Sequence, residues 1–155
     1  MAEQQPWWYI PVINGIFQTI TWLTVICGWF IVNRQNNHRE LRKETRSTIE
    51  ELKERLEKLE QTAITFHCSE FDSSKSKDIV REIQRLSQII SRLKVLSDED
   101  LGEATKSLRR SITLKNFDKS SHKCLSEDSP VLDRIYRTIN ELIDDIEYGF
   151  SRRFH

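Results

Sequence analysis

The chain has 155 residues, short enough for one domain plus an anchoring segment. Its 24 Lys and Arg balance its 24 Asp and Glu, yet no Asp, Glu, Lys or Arg lies between Glu3 and Arg34, while the remainder is dense in both signs. The odd set of scattered cysteines, Cys27, Cys68 and Cys124, excludes a disulfide framework and fits a reducing compartment.

Residues 10–32, IPVINGIFQTITWLTVICGWFIV, would extend about 35 Å as a helix, against a hydrocarbon core of about 30 Å. Trp7, Trp8 and Tyr9 precede the stretch, and Trp29 and Phe30 lie near its end, matching an interfacial aromatic belt. A transmembrane helix is therefore predicted at 10–32, with an extracytoplasmic N-terminus at 1–9. Arg34, Arg39, Arg42, Lys43 and Arg46 follow the span closely, so the C-terminus is placed in the cytoplasm and the protein in the cytoplasmic membrane as a single-pass chain. The lipid bilayer is its first expected partner. Asn14, Gln18, Thr21, Val25 and Gly28 recur on one face of the span, a pattern of polar and small groups that favours helix association within a bilayer.

Residues 33–66 contain neither Gly nor Pro and are rich in Glu, Lys, Arg and Leu, which predicts a long juxtamembrane helix. Ile49, Leu52, Leu56, Leu59, Ala63 and Phe66 alternate spacings of three and four, the a/d seam of a coiled coil. Two coverings of that seam are open: the later helices of the same chain, or another subunit, in which case Arg55 could reach Glu60 of a neighbour. The segment HCSEFDSSKSK, residues 67–77, reads as a connecting loop, with a second helix from Lys77 or Asp78. Ile79, Ile83, Leu86, Ile90 and Leu93 give that helix one apolar stripe. Ser97 followed by acidic residues caps a third helix with Leu101, Ala104, Leu108 and Ile112 on its apolar face. Residues 113–128 form a polar loop, and Ser129 and Pro130 open a last helix with a broad face from Leu132 to Phe150. No stretch alternates with a period of two, so the fold class is all-α, with a helical cytoplasmic domain at 78–155. Its core is small, and self-association is expected to add to its stability.

Catalytic signatures are missing: no G-x-S-x-G, H-E-x-x-H, Walker A or dinucleotide loop occurs. No enzyme activity and no catalytic residue is therefore expected. His67 with Cys68 and His122 with Cys124 have zinc-ligand chemistry, but adjacent His and Cys serve one tetrahedral centre poorly, so neither metal nor cofactor is expected. The richer segment is SLRRSITLKNFDKSSHK. There Arg109, Arg110, Lys115 and Lys119 are suited to phosphates, and Asn116, Phe117 and His122 to base edges and faces. Helix-end capping beside a solvated loop is the plainer account of the same residues.

The anchor WLTVICGWFIV, the exit NRQNNHRELRKETR and the loop RRSITLKNFDK together resemble the small single-span effectors of type III CRISPR defence that bind cyclic tetra-adenylate. The resemblance lies in layout across nearly the whole chain, and no binding residue is carried over from it. It implies a homotetramer whose cytoplasmic domain senses a cyclic oligonucleotide, rather than DNA or long RNA, and perturbs the membrane in antiviral defence. The other class open to the sequence is a membrane-tethered coiled-coil adaptor that binds a protein partner.

Overall fold

The computed structural model describes residues 9–154, with side chains described from Phe17 onward except that of Asp98. Secondary structure among the described residues is entirely helical: α1, Tyr9–Cys68; α2, Ser73–Leu93; α3, Asp98–Thr113; α4, Pro130–Phe154. By internal packing the chain divides into two units, Met1–Lys43 and Glu44–His155.

In the first unit the described side chains belong to a bare helix. Phe17, Trp22, Trp29 and Phe30 are each more than 60% exposed, and Ile20, Leu23, Val25, Ile26, Ile31 and Val32 more than half exposed. Among the described residues no helix is long and apolar enough to cross a membrane. This corrects the predicted transmembrane helix at 10–32 and, with it, the single-pass placement in the cytoplasmic membrane. The apolar run with described side chains occupies 17–32, about 24 Å of helix, against the roughly 30 Å of a hydrocarbon core. Gln18, Thr19, Thr21 and Thr24 dilute it, and Asn33 and Arg34 end it. The hydroxyls of Thr21 and Thr24 donate to the carbonyls of Phe17 and Ile20, both at 2.9 Å, so they are satisfied within their own helix. Asn14, with the rest of residues 10–16, lies outside the described side chains, and residues 1–8 lie outside the described residues.

The second unit is a four-helix bundle. Ile49, Leu52, Leu56, Leu59, Ala63 and Phe66 are all at most 2% exposed, which decides what covers the α1 seam: the chain's own helices. α2 contributes Ile79, Ile83, Leu86 and Ile90, α3 Leu108 and Ile112, and α4 Leu132, Ile135, Ile139, Leu142, Ile146 and Phe150. Cross-links fix the directions. Arg55 bonds Glu82 of α2 at 2.6 Å. Arg46, at 2.6 Å, and Lys53 converge on Glu147 of α4. Ile112 at the end of α3 meets His67 at the end of α1. The helices therefore run up, down, up and down, the simplest order for short connections. The Lys53 ammonium, with Arg46 adding to it, holds the Glu147 carboxyl below the ordinary carboxylate range against the opposing effect of burial.

Local caps explain the joints. Asp72 accepts from the backbone of Ser74 at 2.8 Å and Lys75 at 3.2 Å, so α2 starts at Ser73 and part of the predicted 67–77 loop is helical. Ser97 accepts from the Asp100 backbone at 3.2 Å, as its sequence position suggests. At the far end of α2, Lys94 turns left-handed with φ 50°, and Arg153 of α4 donates to the carbonyls of Leu93 and Lys94 at 2.7 and 3.0 Å. Gly149 lies beneath this turn, and a Cβ there would stand 2.3 Å from the Val95 carbonyl oxygen. Gly149→Ala is expected to cost about 1–3 kcal/mol through forced displacement of the α2–α3 connection. Urea unfolding checks this, and a midpoint equal to the parent's would show that the connection yields freely.

Candidate functional site

The segment 114–129 closes one end of the bundle. Its anchor is Asn116, which adopts the left-handed region with φ 57°, a conformation asparagine tolerates better than most residues. Its side-chain Oδ1 accepts from the Lys123 backbone at 2.6 Å and its Nδ2 donates to the Lys123 carbonyl at 2.9 Å. That two-way bond closes the loop on itself and fixes which way the amide points.

Beneath the loop lies His67, fully buried at the end of the α1 seam. Its Nε2 is 3.1 Å from the Ile112 carbonyl and its Nδ1 is 3.3 Å from Nδ2 of Asn116. The neutral ring with hydrogen on Nε2 satisfies both contacts, donating to one and accepting from the other. Burial pushes the His67 ring below its ordinary value, and the neighbouring His122 works in the same direction, while backbone contacts with Ile112 and Asn116 oppose them. The backbone of His67 is used as well: its carbonyl accepts from Leu125 at 2.9 Å.

His122 folds back over the same end. Its Nδ1 lies 3.0 Å from the Asn116 carbonyl and its Nε2 2.8 Å from the Ser69 carbonyl, joining the loop to the α1–α2 connection. Around it the rings of Phe66, at 4.9 Å, and Phe71, at 5.6 Å, form an aromatic wall, and Phe117 packs 5.2 Å from Phe66. Phe117 joins the edge of the hydrophobic core.

Of the seven residues singled out for ligand chemistry, Asn116, Phe117 and His122 are thus brought together, but by the folding of the loop. Each is half-buried, and its hydrogen bonds or ring contacts are already taken up within the chain. Arg109, Arg110, Lys115 and Lys119 are exposed at this end of the bundle, and their surface position leaves them accessible to an anion. His67 is the residue whose part the sequence conceals. Its only signal is its place directly after Phe66, the last seam position, where a ring is carried into the closing end of the core. Cys68 and Cys124 are free thiols, and among the described residues no group of three or more His, Cys, Asp or Glu forms a metal-ligand set. A groove of about 780 Å³ lies elsewhere, between α3 and α4 around Ser97, Glu103, Glu141 and Gly149, and none of the seven residues lines it.

Compared with known proteins, the chain matches no family, no curated protein and no solved structure.

The buried ring makes stability depend on pH. A histidine whose folded value is depressed contributes stability that is complete above the unfolded value of about 6.5 and is lost as pH falls below it. His67→Gln keeps a donor and an acceptor but cannot titrate. The stability of the parent relative to this variant should fall by up to about 1 kcal/mol between pH 6.5 and 5.5, read by denaturant unfolding. Parallel pH profiles for the two proteins would refute a titrating His67.

Proposed function

We propose that this protein is a non-catalytic helical adaptor that acts by binding other protein surfaces, copies of itself included, through the apolar helix at 17–32. The observation that carries this reading is the exposure of that helix: ten large apolar side chains from Phe17 to Val32, each more than half exposed. A helix that exposes this much apolar surface is at home only when covered, and a patch of this kind marks an interaction surface. The seam at 49–66 cannot serve, because it is already filled inside the bundle. The homo-oligomer expected from the sequence therefore rests on 17–32, and the bundle is the folded body that such an assembly carries.

Light scattering on the full chain should give a mass above that of one copy, and Leu23→Asp with Ile26→Asp should lower it while leaving the bundle's unfolding midpoint unchanged. A monomer that floats with lipid vesicles, or an assembly indifferent to both substitutions, overturns the adaptor reading.

A second reading, binding of a cyclic oligoadenylate, is favoured by the accessible cations Arg109, Arg110, Lys115 and Lys119. In this reading they hold phosphates, and bases are read only once the loop opens. Calorimetric titration with cyclic tetra-adenylate tests it: Arg110→Ala and Lys115→Ala should each weaken binding by roughly 10- to 150-fold. Equal affinity in all three proteins, or no heat of binding in the parent, rejects it.

A further inference from the structure

The chain carries three cysteines that are far apart in sequence, and the fold brings two of them to one place. The amide of Leu125 donates to the carbonyl of His67 at 2.9 Å, so the peptide units 67–68 and 124–125 face each other. Just past the end of α1, the Ser69 carbonyl meets the side chain of His122, at 2.8 Å. Cys68 and Cys124 each flank that backbone bond, one on either segment.

With standard bond lengths, the Cα atoms of Cys68 and Cys124, each next to one end of that bond, lie within about 8 Å of each other. A disulfide spans about 4.4–6.8 Å between Cα atoms. Both thiols are free in this state; Cys68 is half-buried against the core and Cys124 is exposed. Exposure of one partner gives an oxidant a point of entry, and the buried position of the other holds it ready as the resolving thiol.

We propose that Cys68 and Cys124 form a redox clasp, whose disulfide pins the 114–129 loop to the end of α1. A peroxide is the oxidant class that fits the exposed thiol. Cys124 attacks one peroxide oxygen to give a sulfenic acid and water. The Cys68 sulfur then displaces the hydroxyl, forming the Sγ–Sγ bond and a second water. Two thiol hydrogens and two electrons leave the protein, and one hydrogen peroxide becomes two waters. A dithiol reverses the step. The clasp restrains the same loop that Asn116, His67 and His122 hold by hydrogen bonds, so oxidation converts a closure that opens by local fluctuation into a covalent one. This inference is independent of the adaptor reading, since it concerns only the closed end of the bundle.

The test uses the full chain carrying Cys27→Ser, which removes the third thiol. After treatment with hydrogen peroxide, digestion without reductant should yield a linked pair of peptides containing Cys68 and Cys124, about 2 Da lighter than their sum. Dithiothreitol should separate them. Hydrogen exchange at Lys123 and Leu125 should slow by roughly tenfold or more on oxidation, and Cys124→Ala, a change at an exposed position, should abolish both the link and the slowing. Oxidation that stops at sulfinic acid on Cys124, or that joins two chains through Cys124, overturns the proposal. So does slowed exchange that persists in Cys124→Ala.

Discussion

The apolar seam of α1 cannot stand in water, and the chain covers it with its own α2, α3 and α4. A residue such as Leu56 at the centre of that seam contributes about 2–5 kcal/mol relative to alanine. The surrounding details serve the same closure. Arg55 with Glu82 and the pair of cations on Glu147 hold α2 and α4 against α1. These pairs are partly exposed, so they contribute register more than stability. Both ends of the bundle are then sealed by backbone chemistry: Arg153 takes up the last carbonyls of α2, and His67 takes up the last carbonyl of the α3 core face at Ile112.

Self-coverage of the seam has a functional consequence. A coiled coil between subunits needs the same residues that the bundle has consumed, so the adaptor reading proposed above draws on another surface. The side chains of residues 17–32 are the large apolar set that the described structure leaves uncovered. The bundle and that helix therefore differ in chemistry: one hides its apolar groups within the chain, and the other leaves them exposed.

The closed end illustrates why residue types alone underdetermine a site. An amide that can read a base edge can also clamp its own loop, and Asn116 does the second, with the left-handed backbone that suits asparagine. An aromatic ring that can stack on a base can also cover a core, and Phe117 lies against Phe66. His122 spans two carbonyls from separate segments. The long cationic side chains on the same loop escape this fate, because burying Lys or Arg without a partner is costly. The fold therefore separates the seven residues by desolvation cost: the amide and the rings turn inward, and the charges remain outside.

By itself the sequence determined the helical class, the apolar faces of the bundle helices and the cap at Ser97. These follow from periodicity and from hydrogen bonds made within a few residues. Asp72 is the local case it hides, since the Ser- and Lys-rich stretch after it reads as loop until its carboxylate is seen bonded to the Ser74 and Lys75 amides. The tertiary structure decided what covers the α1 seam, because the same a/d spacing serves a neighbour in the chain or one in another subunit. It decided the use of Asn116, Phe117 and His122, whose partners at Lys123, Phe66 and Ser69 lie up to 53 residues away. It also set the backbone beside Cys68 against the backbone beside Cys124 through one bond, Leu125 to His67. Pairings at that separation depend on where the chain returns, and nothing in the local residue pattern encodes it.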